Sequence, residues 1–279
     1  MSHIHNLFHN PAVQGRSTPK TPAPAAETSS APVGVAEAPE VREFAVEEAR
    51  LTPETRLVFS DDPRSPAADK FRFLRMRLRE YWTAGKLKKL LITSPLTGDG
   101  KSTVLMNLAT ALSERGKRSV LVIEADMHHS SIPKRLNLRS WPGLNDCLQD
   151  DSISPLSHIR RLEPLGWHLL PAGEPRRNPT ELLQTPALRS IVEKVSASFD
   201  WVLIDSPPVV LLTDAIALQQ QADATLLVVR AGRTPQEAIE HSIELLGPKK
   251  IVGVVLNGIE QRYQPYYQDR YYDNGLRND

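Results

Sequence analysis

The sequence contains one cysteine, Cys147, among 279 residues. A single cysteine cannot form an intrachain disulfide, so nothing in the chain requires an oxidising compartment, and we expect Cys147 to be a buried small hydrophobic residue. The sequence also lacks any run approaching the roughly 18 consecutive apolar residues of a membrane span, and its N-terminus has no apolar core of the signal-peptide kind. These absences predict a cytoplasmic protein.

The chain has no excess of charge of either sign, because 34 basic side chains are matched by 33 acidic ones. Proteins that bind nucleic acid usually carry a basic surplus or a basic patch. We therefore expect no nucleic-acid partner. The length leaves room for one large domain with tails at both ends.

Residues 1–64 are rich in Pro, Ala, Ser, Thr and Glu and have few side chains that could build a core. This composition predicts a disordered or extended segment, and both a tether and a simple spacer remain open as its role. We expect the folded domain to cover residues 65–259 and a flexible tail to cover residues 260–279.

The stretch LLITSPLTGDGKST, residues 90–103, has the pattern of a strand, a glycine-bearing loop and the start of a helix. It matches a phosphate-binding loop except that Pro95 occupies the first glycine position. In such loops backbone N–H groups surround the phosphates, the lysine reaches the terminal phosphates and the next hydroxyl binds Mg²⁺. The residues assigned to nucleotide binding here are Thr97, Gly98, Asp99, Gly100, Lys101, Ser102 and Thr103.

Strand-like and helix-like patterns alternate along the rest of the domain. Apolar runs at residues 119–124, 167–170, 202–204, 223–230 and 250–256 are separated by helical patterns that include residues 186–198 and 235–246. This alternation predicts an α/β fold with a doubly wound, mainly parallel sheet of the P-loop NTPase type.

Acidic residues end two of these strands. Glu124 and Asp126 follow one buried run and Asp205 ends another, at the sheet edge where open α/β sheets bind their ligands. Downstream of a phosphate loop, Asp205 is placed to hold Mg²⁺ directly or through water. The alternative for Asp205 is a turn or helix-capping aspartate.

Residues 65–82 predict the first helix of the domain, with Ser65 as its N-cap and Pro66 in its first turn. Apolar side chains recur on one face. On another face Asp69, Arg72 and Arg75 form a charged stripe, which on physical grounds alone is most simply a solvated surface.

The C-terminal tail concentrates tyrosine among polar residues that cannot build a core. These side chains could dock on the domain or stack on single-stranded nucleic acid, although few arginines accompany them. Beside an ATP site, the simplest interpretation is that they accept phosphoryl groups. The tail tyrosines are Tyr263, Tyr266, Tyr267, Tyr271 and Tyr272.

Together these motifs resemble the bacterial tyrosine kinases (BY-kinases) of capsular and exopolysaccharide biosynthesis. SPLTGDGKST resembles their Walker A loop and LVIEADM their Walker A′ strand, while DWVLIDSPPV with Asp214 resembles their Walker B region. GVVLN and the tyrosine cluster also match. The resemblance covers most of the chain from Ser65 onward and implies the MinD/ParA-like branch of the P-loop NTPase fold.

The resemblance implies a Mg²⁺- and ATP-dependent protein-tyrosine autokinase that phosphorylates the tail of a neighbouring copy. It assigns Lys101, Glu124, Asp126 and Asp205 to catalysis, with Glu124 orienting or deprotonating the tyrosine. Ser102, Asp126 and Asp205 would hold the metal. Asn257, after the last strand, would contact adenine.

The resemblance also implies partners. The family uses a Glu-x-x-Arg-x-x-Arg helix to assemble a ring, and Asp69, Arg72 and Arg75 match it with Asp in place of Glu. The expected partners are therefore other copies of the chain, a membrane-anchored polysaccharide co-polymerase that recruits the chain to the inner face of the membrane, and a tyrosine phosphatase.

Two departures from the family pattern leave a second function open. The family usually has Asp where Glu124 stands and a basic residue where His128 stands. Because misplacement of about 1 Å can cost on the order of 100-fold in rate, the alternative is a weak or inactive P-loop ATPase scaffold of the MinD/ParA type. Against close kinship with those ATPases, Leu96 stands where their loop carries a second lysine.

Overall fold

The computed structural model describes residues 43–175, 178–211 and 213–259. Its eight strands form one sheet in the order β1-β4-β5-β3-β6-β2-β7-β8, and every neighbouring pair is parallel except β4 and β5. The predicted doubly wound, mainly parallel sheet is therefore confirmed. The strands are β1 (Ala45–Glu48), β2 (Lys89–Thr93), β3 (Val120–Glu124), β4 (Arg160–Glu163), β5 (Trp167–Leu170), β6 (Trp201–Asp205), β7 (Ala224–Arg230) and β8 (Ile251–Asn257).

Helices connect the strands and cover the sheet. Within the described residues, none of them has the length and apolar character that crossing a bilayer requires. The helices are α1 (Val58–Asp61), α2 (Pro66–Thr83), α3 (Lys101–Ser113), α4 (Ile132–Arg135), α5 (Leu144–Gln149), α6 (Pro179–Leu183), α7 (Pro186–Ser196), α8 (Asp214–Gln219) and α9 (Gln236–Leu246).

The central strands are buried on both faces, as their continuous apolar runs predict. Leu90 and Ile92 of β2 pack in one core cluster with side chains of α2 and α3. Leu91, between them, belongs to the opposite cluster with side chains of α5 and α7. Since alternate residues of a strand point to opposite faces, the two clusters lie on the two sides of the sheet.

Helix α2 forms as its sequence predicts. The Ser65 hydroxyl accepts a hydrogen bond from the Ala68 N–H at 3.2 Å, which satisfies one of the free amides of the first turn. Phe71, Leu74 and Leu78 are buried on one face of the helix. The cap and the three-and-four spacing therefore account for both the start and the orientation of α2.

The predicted disorder of residues 1–64 is wrong for residues 43–64. Strand β1 extends the sheet beside β4, and Leu57 is 1% exposed within the core. The Asn107 side chain of α3 accepts from the Val58 N–H and donates to the Arg56 carbonyl, both at 2.9 Å. The average composition of residues 1–64 does not reveal the few apolar side chains, such as Leu57, that pack against the domain. Residues 1–42 and the tail 260–279 lie outside the described residues.

Candidate nucleotide-binding site

The phosphate-loop motif joins β2 to α3 at the carboxyl edge of the sheet. Gly98 and Gly100 adopt left-handed backbone conformations, with φ of 87° and 96°, that favour glycine. A Cβ atom on Gly100 would lie 2.0 Å from Nδ2 of Asn257. The loop therefore needs glycine at this position both for its backbone angle and for the close approach of β8.

Four of the predicted site residues meet beside this loop. The Lys101 ammonium lies 2.7 Å from an Asp126 oxygen and 3.3 Å from an Asp205 oxygen. The Ser102 hydroxyl donates to the other Asp205 oxygen at 2.9 Å. Parallel strands β2, β3 and β6 bring these groups together, because their carboxyl ends lie at the same edge of the sheet.

The buried charges of this cluster shift one another. Burial alone would lower the pKa of Lys101, but the attraction of Asp205 and Asp126 outweighs it and the pKa is raised. Burial raises the pKa of Asp205. The attraction of Lys101 opposes this rise, and the repulsion of Asp126 adds to it. Lys101 is thus held firmly as a cation between two carboxylates.

Glu124 is not brought to the cavity. Its side chain is fully buried, and its carboxylate accepts hydrogen bonds from Ser131 N–H at 2.7 Å and Ile132 N–H at 2.8 Å. Its second oxygen accepts from the Ser130 hydroxyl at 2.8 Å and from Ala172 N–H at 3.2 Å. Burial raises the pKa of Glu124, while the donors from Ile132 and Ser130 oppose the rise. The carboxylate is therefore engaged in holding the loop after β3.

Next to this loop, His128 contacts Asp214, the acid that the Walker B resemblance singled out. The distance from His128 Nε2 to Asp214 Oδ2 is 2.9 Å, and the Asp214 side chain is fully buried at the start of α8. The histidine thus links the loop after β3 to α8.

A cavity of about 1000 Å³ opens over the phosphate loop. Within the described residues its walls include every predicted nucleotide-binding residue except Asp99. Asp99 points into the protein, where its side chain accepts from Leu96 N–H at 3.0 Å. The Asn257 amide donates to the Asp99 carbonyl at 2.9 Å, so Asn257 contacts the phosphate loop as well as the cavity.

Several residues of the cavity wall were not predicted from the sequence. Arg135 lines the cavity and donates to the Thr103 hydroxyl at 2.8 Å, and Arg230 lines the cavity at the end of β7. Another part of the wall comes from the 53–71 region, including Glu54, Asp61 and Ser65. The sequence signal that this segment packs against the domain is its short apolar run, Leu57, Val58 and Phe59.

The predicted assembly residues are engaged within the chain. Arg72 pairs with Asp69 at 2.6 Å, one helical turn away, and also donates to the Pro63 carbonyl. Arg75 donates to the Ala111 carbonyl of α3 at 3.1 Å. The role of this stripe in assembly stays a prediction. The five tail tyrosines lie outside the described residues.

The residues at the loop fit a magnesium-bound nucleotide. The Ser102 hydroxyl and the Asp126 and Asp205 carboxylates supply the oxygen donors that Mg²⁺ prefers. The start of α3 presents backbone N–H groups with a left-handed glycine at its N-cap, a geometry suited to phosphate. Lys101 adds a cation beside them.

The chain is similar to a known protein family and to a solved kinase domain. The profile described as "ParA: NUBPL iron-transfer P-loop NTPase" matches residues 86–258, which is more than half of the chain. The kinase domain of Escherichia coli tyrosine kinase ETK has a similar structure, with a TM-score of 0.70 and 25% identity, covering 77% of this chain and 84% of that one.

Curated relatives carry tyrosine-kinase and polysaccharide names. "Tyrosine-protein kinase YwqD" of Bacillus subtilis is 29% identical over 71% of this chain and 83% of its own length. "Tyrosine-protein kinase ptk" of Acinetobacter johnsonii is 31% identical over 72% of this chain but 27% of its own length. "Succinoglycan biosynthesis transport protein ExoP" of Rhizobium meliloti is 30% identical over 75% of this chain and 27% of its own length.

The chain thus spans about a quarter of the length of two of these relatives and most of the third. The kinase names and the ETK fold confirm the resemblance to the BY-kinases, and the profile match confirms the predicted MinD/ParA-like branch of the fold. The chain belongs to the ParA family of P-loop NTPases, with bacterial tyrosine kinases among its relatives.

Proposed function

We propose that the chain binds Mg²⁺·ATP and transfers a phosphoryl group to tyrosines in the tail of a neighbouring copy. The observation that carries the proposal is the cluster of Lys101, Ser102, Asp126 and Asp205 at the phosphate loop. The tyrosine-kinase names of relatives support this reaction over simple hydrolysis.

Phosphoryl transfer depends on positioning and charge neutralisation more than on covalent chemistry. Bound Mg²⁺ would neutralise phosphate charge. The backbone from Thr97 to Thr103 would surround the phosphates, and Ser102, Asp126 and Asp205 would hold the metal. Lys101, held as a cation with only 12% of its side chain exposed, would supply a positive charge to the terminal phosphate.

The acceptor tyrosine also needs a group that takes its proton, because a phenol with a pKa near 10 is protonated at neutral pH. The Glu124 carboxylate is occupied by the loop after β3 and does not line the cavity. We therefore propose that Glu124 does not take this proton.

Phosphorylation of the tail would act through charge. Each phosphotyrosine adds about −1.5 to −2 charges, so several of them on one tail repel each other. This repulsion would open a ring of subunits held together by tails in neighbouring sites. We propose that the switch regulates polysaccharide synthesis and export, with a membrane-anchored partner recruiting the chain and a tyrosine phosphatase restoring the ring. The name of ExoP supports this setting.

Phosphotyrosine detection on the purified chain tests the proposal. Wild-type protein with ATP and Mg²⁺ should label itself, and Lys101→Met should not. A variant with all five tail tyrosines changed to Phe should lose the signal while it still binds nucleotide. Wild-type protein that binds ATP without any labelling would refute the kinase assignment.

A second candidate is an ATP-dependent scaffold that does not phosphorylate tyrosine. The ParA profile match and the sequestered Glu124 carboxylate favour it. It predicts nucleotide binding, with or without hydrolysis, in the absence of self-labelling. The same experiment, with released phosphate measured in parallel, separates the two functions.

A further inference from the structure

A threonine outside the phosphate loop contacts the loop through a buried carboxylate. Thr234 lies in the connection between β7 and α9, where its hydroxyl accepts from the Arg230 N–H at 2.9 Å. The same hydroxyl donates to an Asp99 oxygen at 2.8 Å. The other Asp99 oxygen accepts from Leu96 N–H at 3.0 Å, which closes the turn that contains Gly98. The hydroxyl thus connects the end of β7 to the middle of the loop.

The position of Asp99 depends on these hydrogen bonds. The residue is 4% exposed, and the described part of the chain places no basic side chain within 4.0 Å of its carboxylate. A buried carboxylate without a cationic partner is unfavourable unless hydrogen bonds satisfy it. Removal of the Thr234 hydroxyl would leave one Asp99 oxygen without this donor, and we expect the carboxylate to turn toward water.

Asp99 is also fixed through its backbone. The Asn257 amide at the end of β8 donates to the Asp99 carbonyl at 2.9 Å. Gly100, the next residue, packs so closely against that amide that a Cβ atom would collide with it. A displaced Asp99 would therefore carry Gly98 and Gly100, and the amides that follow them, out of their present arrangement.

We propose that Thr234 is a positioning residue that, through Asp99, holds the phosphate loop in its nucleotide-binding shape before the nucleotide arrives. A loop that is already ordered loses less conformational freedom on binding, so preorganisation strengthens affinity without any contact to the ligand. The inference rests on the nucleotide binding of the proposed function and adds a residue that neither the loop motif nor the cavity wall identifies.

Titration with a fluorescent ADP analogue and Mg²⁺ tests the proposal. Thr234→Val keeps the branched shape and removes the hydroxyl, and we expect the Kd to rise about tenfold, equivalent to about 1.4 kcal/mol. Thr234→Ser restores the hydroxyl and should bind within about twofold of wild type. Thr83→Val, which removes an exposed hydroxyl at the end of α2, is the matched control and should bind as wild type does.

A double-mutant cycle separates positioning from general destabilisation. If Thr234 acts through Asp99, the pair Thr234→Val and Asp99→Ala should weaken binding no more than the stronger single change. Thermal unfolding of each variant shows whether it folds. If Thr234→Val does not fold, Thr234→Ala replaces it, and we expect the same rise in Kd.

The outcomes distinguish the two claims. Two results would overturn the role of Thr234 and leave the proposed function standing. One is that the wild-type protein binds the analogue and Thr234→Val binds it with the same Kd. The other is that the losses of binding free energy from Thr234→Val and Asp99→Ala are fully additive in the double variant. Failure of the wild-type protein to bind the analogue would overturn both.

Discussion

Replacement of Glu124 by Gln tests whether this residue serves the loop or the reaction. In the wild-type chain the carboxylate accepts four hydrogen bonds, two on each oxygen. A glutamine oxygen can keep the N–H groups of Ser131 and Ile132. Its NH₂ group then faces the Ser130 hydroxyl, which can rotate to accept, and the Ala172 N–H, which cannot.

The expected loss follows from this count. One buried N–H without an acceptor costs about 1–3 kcal/mol, and the remaining bonds lose the benefit of a charged acceptor. The neutral amide avoids the burial of a charge, which offsets part of this loss. We expect Glu124→Gln to lower the free energy of unfolding by about 2–4 kcal/mol.

The shorter side chain of Asp gives a second expectation. Glu124→Asp restores the residue usual in the resembling family but withdraws the carboxylate by about 1.5 Å from donors that now lie at 2.7–3.2 Å. We expect this variant to lose stability as well, without any gain in tyrosine phosphorylation.

Urea unfolding followed by circular dichroism measures both variants. The control is Glu193→Gln, which removes one charge of an exposed pair with Arg189 and should leave stability close to that of the wild type. Wild-type stability in both Glu124 variants, combined with loss of phosphorylation, would show that Glu124 acts on the substrate and that our assignment is mistaken.

Three further predictions concern the N-terminal segment, a half-buried histidine and assembly. Leu57→Ala should cost about 2–5 kcal/mol in urea unfolding, since Leu57 is 1% exposed in the core; wild-type stability would show that residues 43–64 contribute nothing. Burial lowers the pKa of His168, so as the pH falls this side chain is protonated in the unfolded chain before it is protonated in the folded chain. The stability that the neutral, folded His168 contributes is therefore present above about pH 6.5 and is lost as the pH falls. His168→Gln should therefore reduce the loss of stability between about pH 8 and pH 5, and an equal loss in both proteins would contradict the sign. Combined Arg72→Ala and Arg75→Ala changes should shift the protein toward monomers in sedimentation, and unchanged oligomers would exclude this face of α2 from assembly.

Much of the sheet could be predicted because its strands are continuous apolar runs. The run at residues 167–170 coincides with β5, and the runs that became β3 and β7 differ from the observed strands by one residue at the start. Burial on both faces demands this pattern, so the sequence marks such strands clearly.

The two strands at the β1 end of the sheet, β1 and β4, were harder to predict. Strand β4 reads RRLE and β1 reads AVEE, since each needs only a few buried side chains. The Arg160 side chain pairs with Glu47 at 2.6 Å across these two strands, a contact that no local pattern reveals. By composition, residues 43–64 therefore resemble the low-complexity segment that precedes them.

Some residues of the candidate site could be predicted from the sequence and others could not. Lys101, Ser102, Asp126 and Asp205 could be predicted because motif spacing and the common edge of parallel strands determine where they lie. The direction of the Glu124 side chain could not, because it depends on donors in a loop with no distinctive sequence. Thr234 also gave no signal, since its contact with Asp99 spans 135 residues.

A mixing experiment tests the central claim, transfer to the tail of another copy, most directly. Lys101→Met, with an intact tail, is combined with the variant that has all five tail tyrosines changed to Phe and an intact site. With ATP and Mg²⁺, our account predicts phosphotyrosine on the Lys101→Met chains in the mixture and on neither protein alone. Labelling of wild-type protein but not of this mixture would contradict transfer between copies.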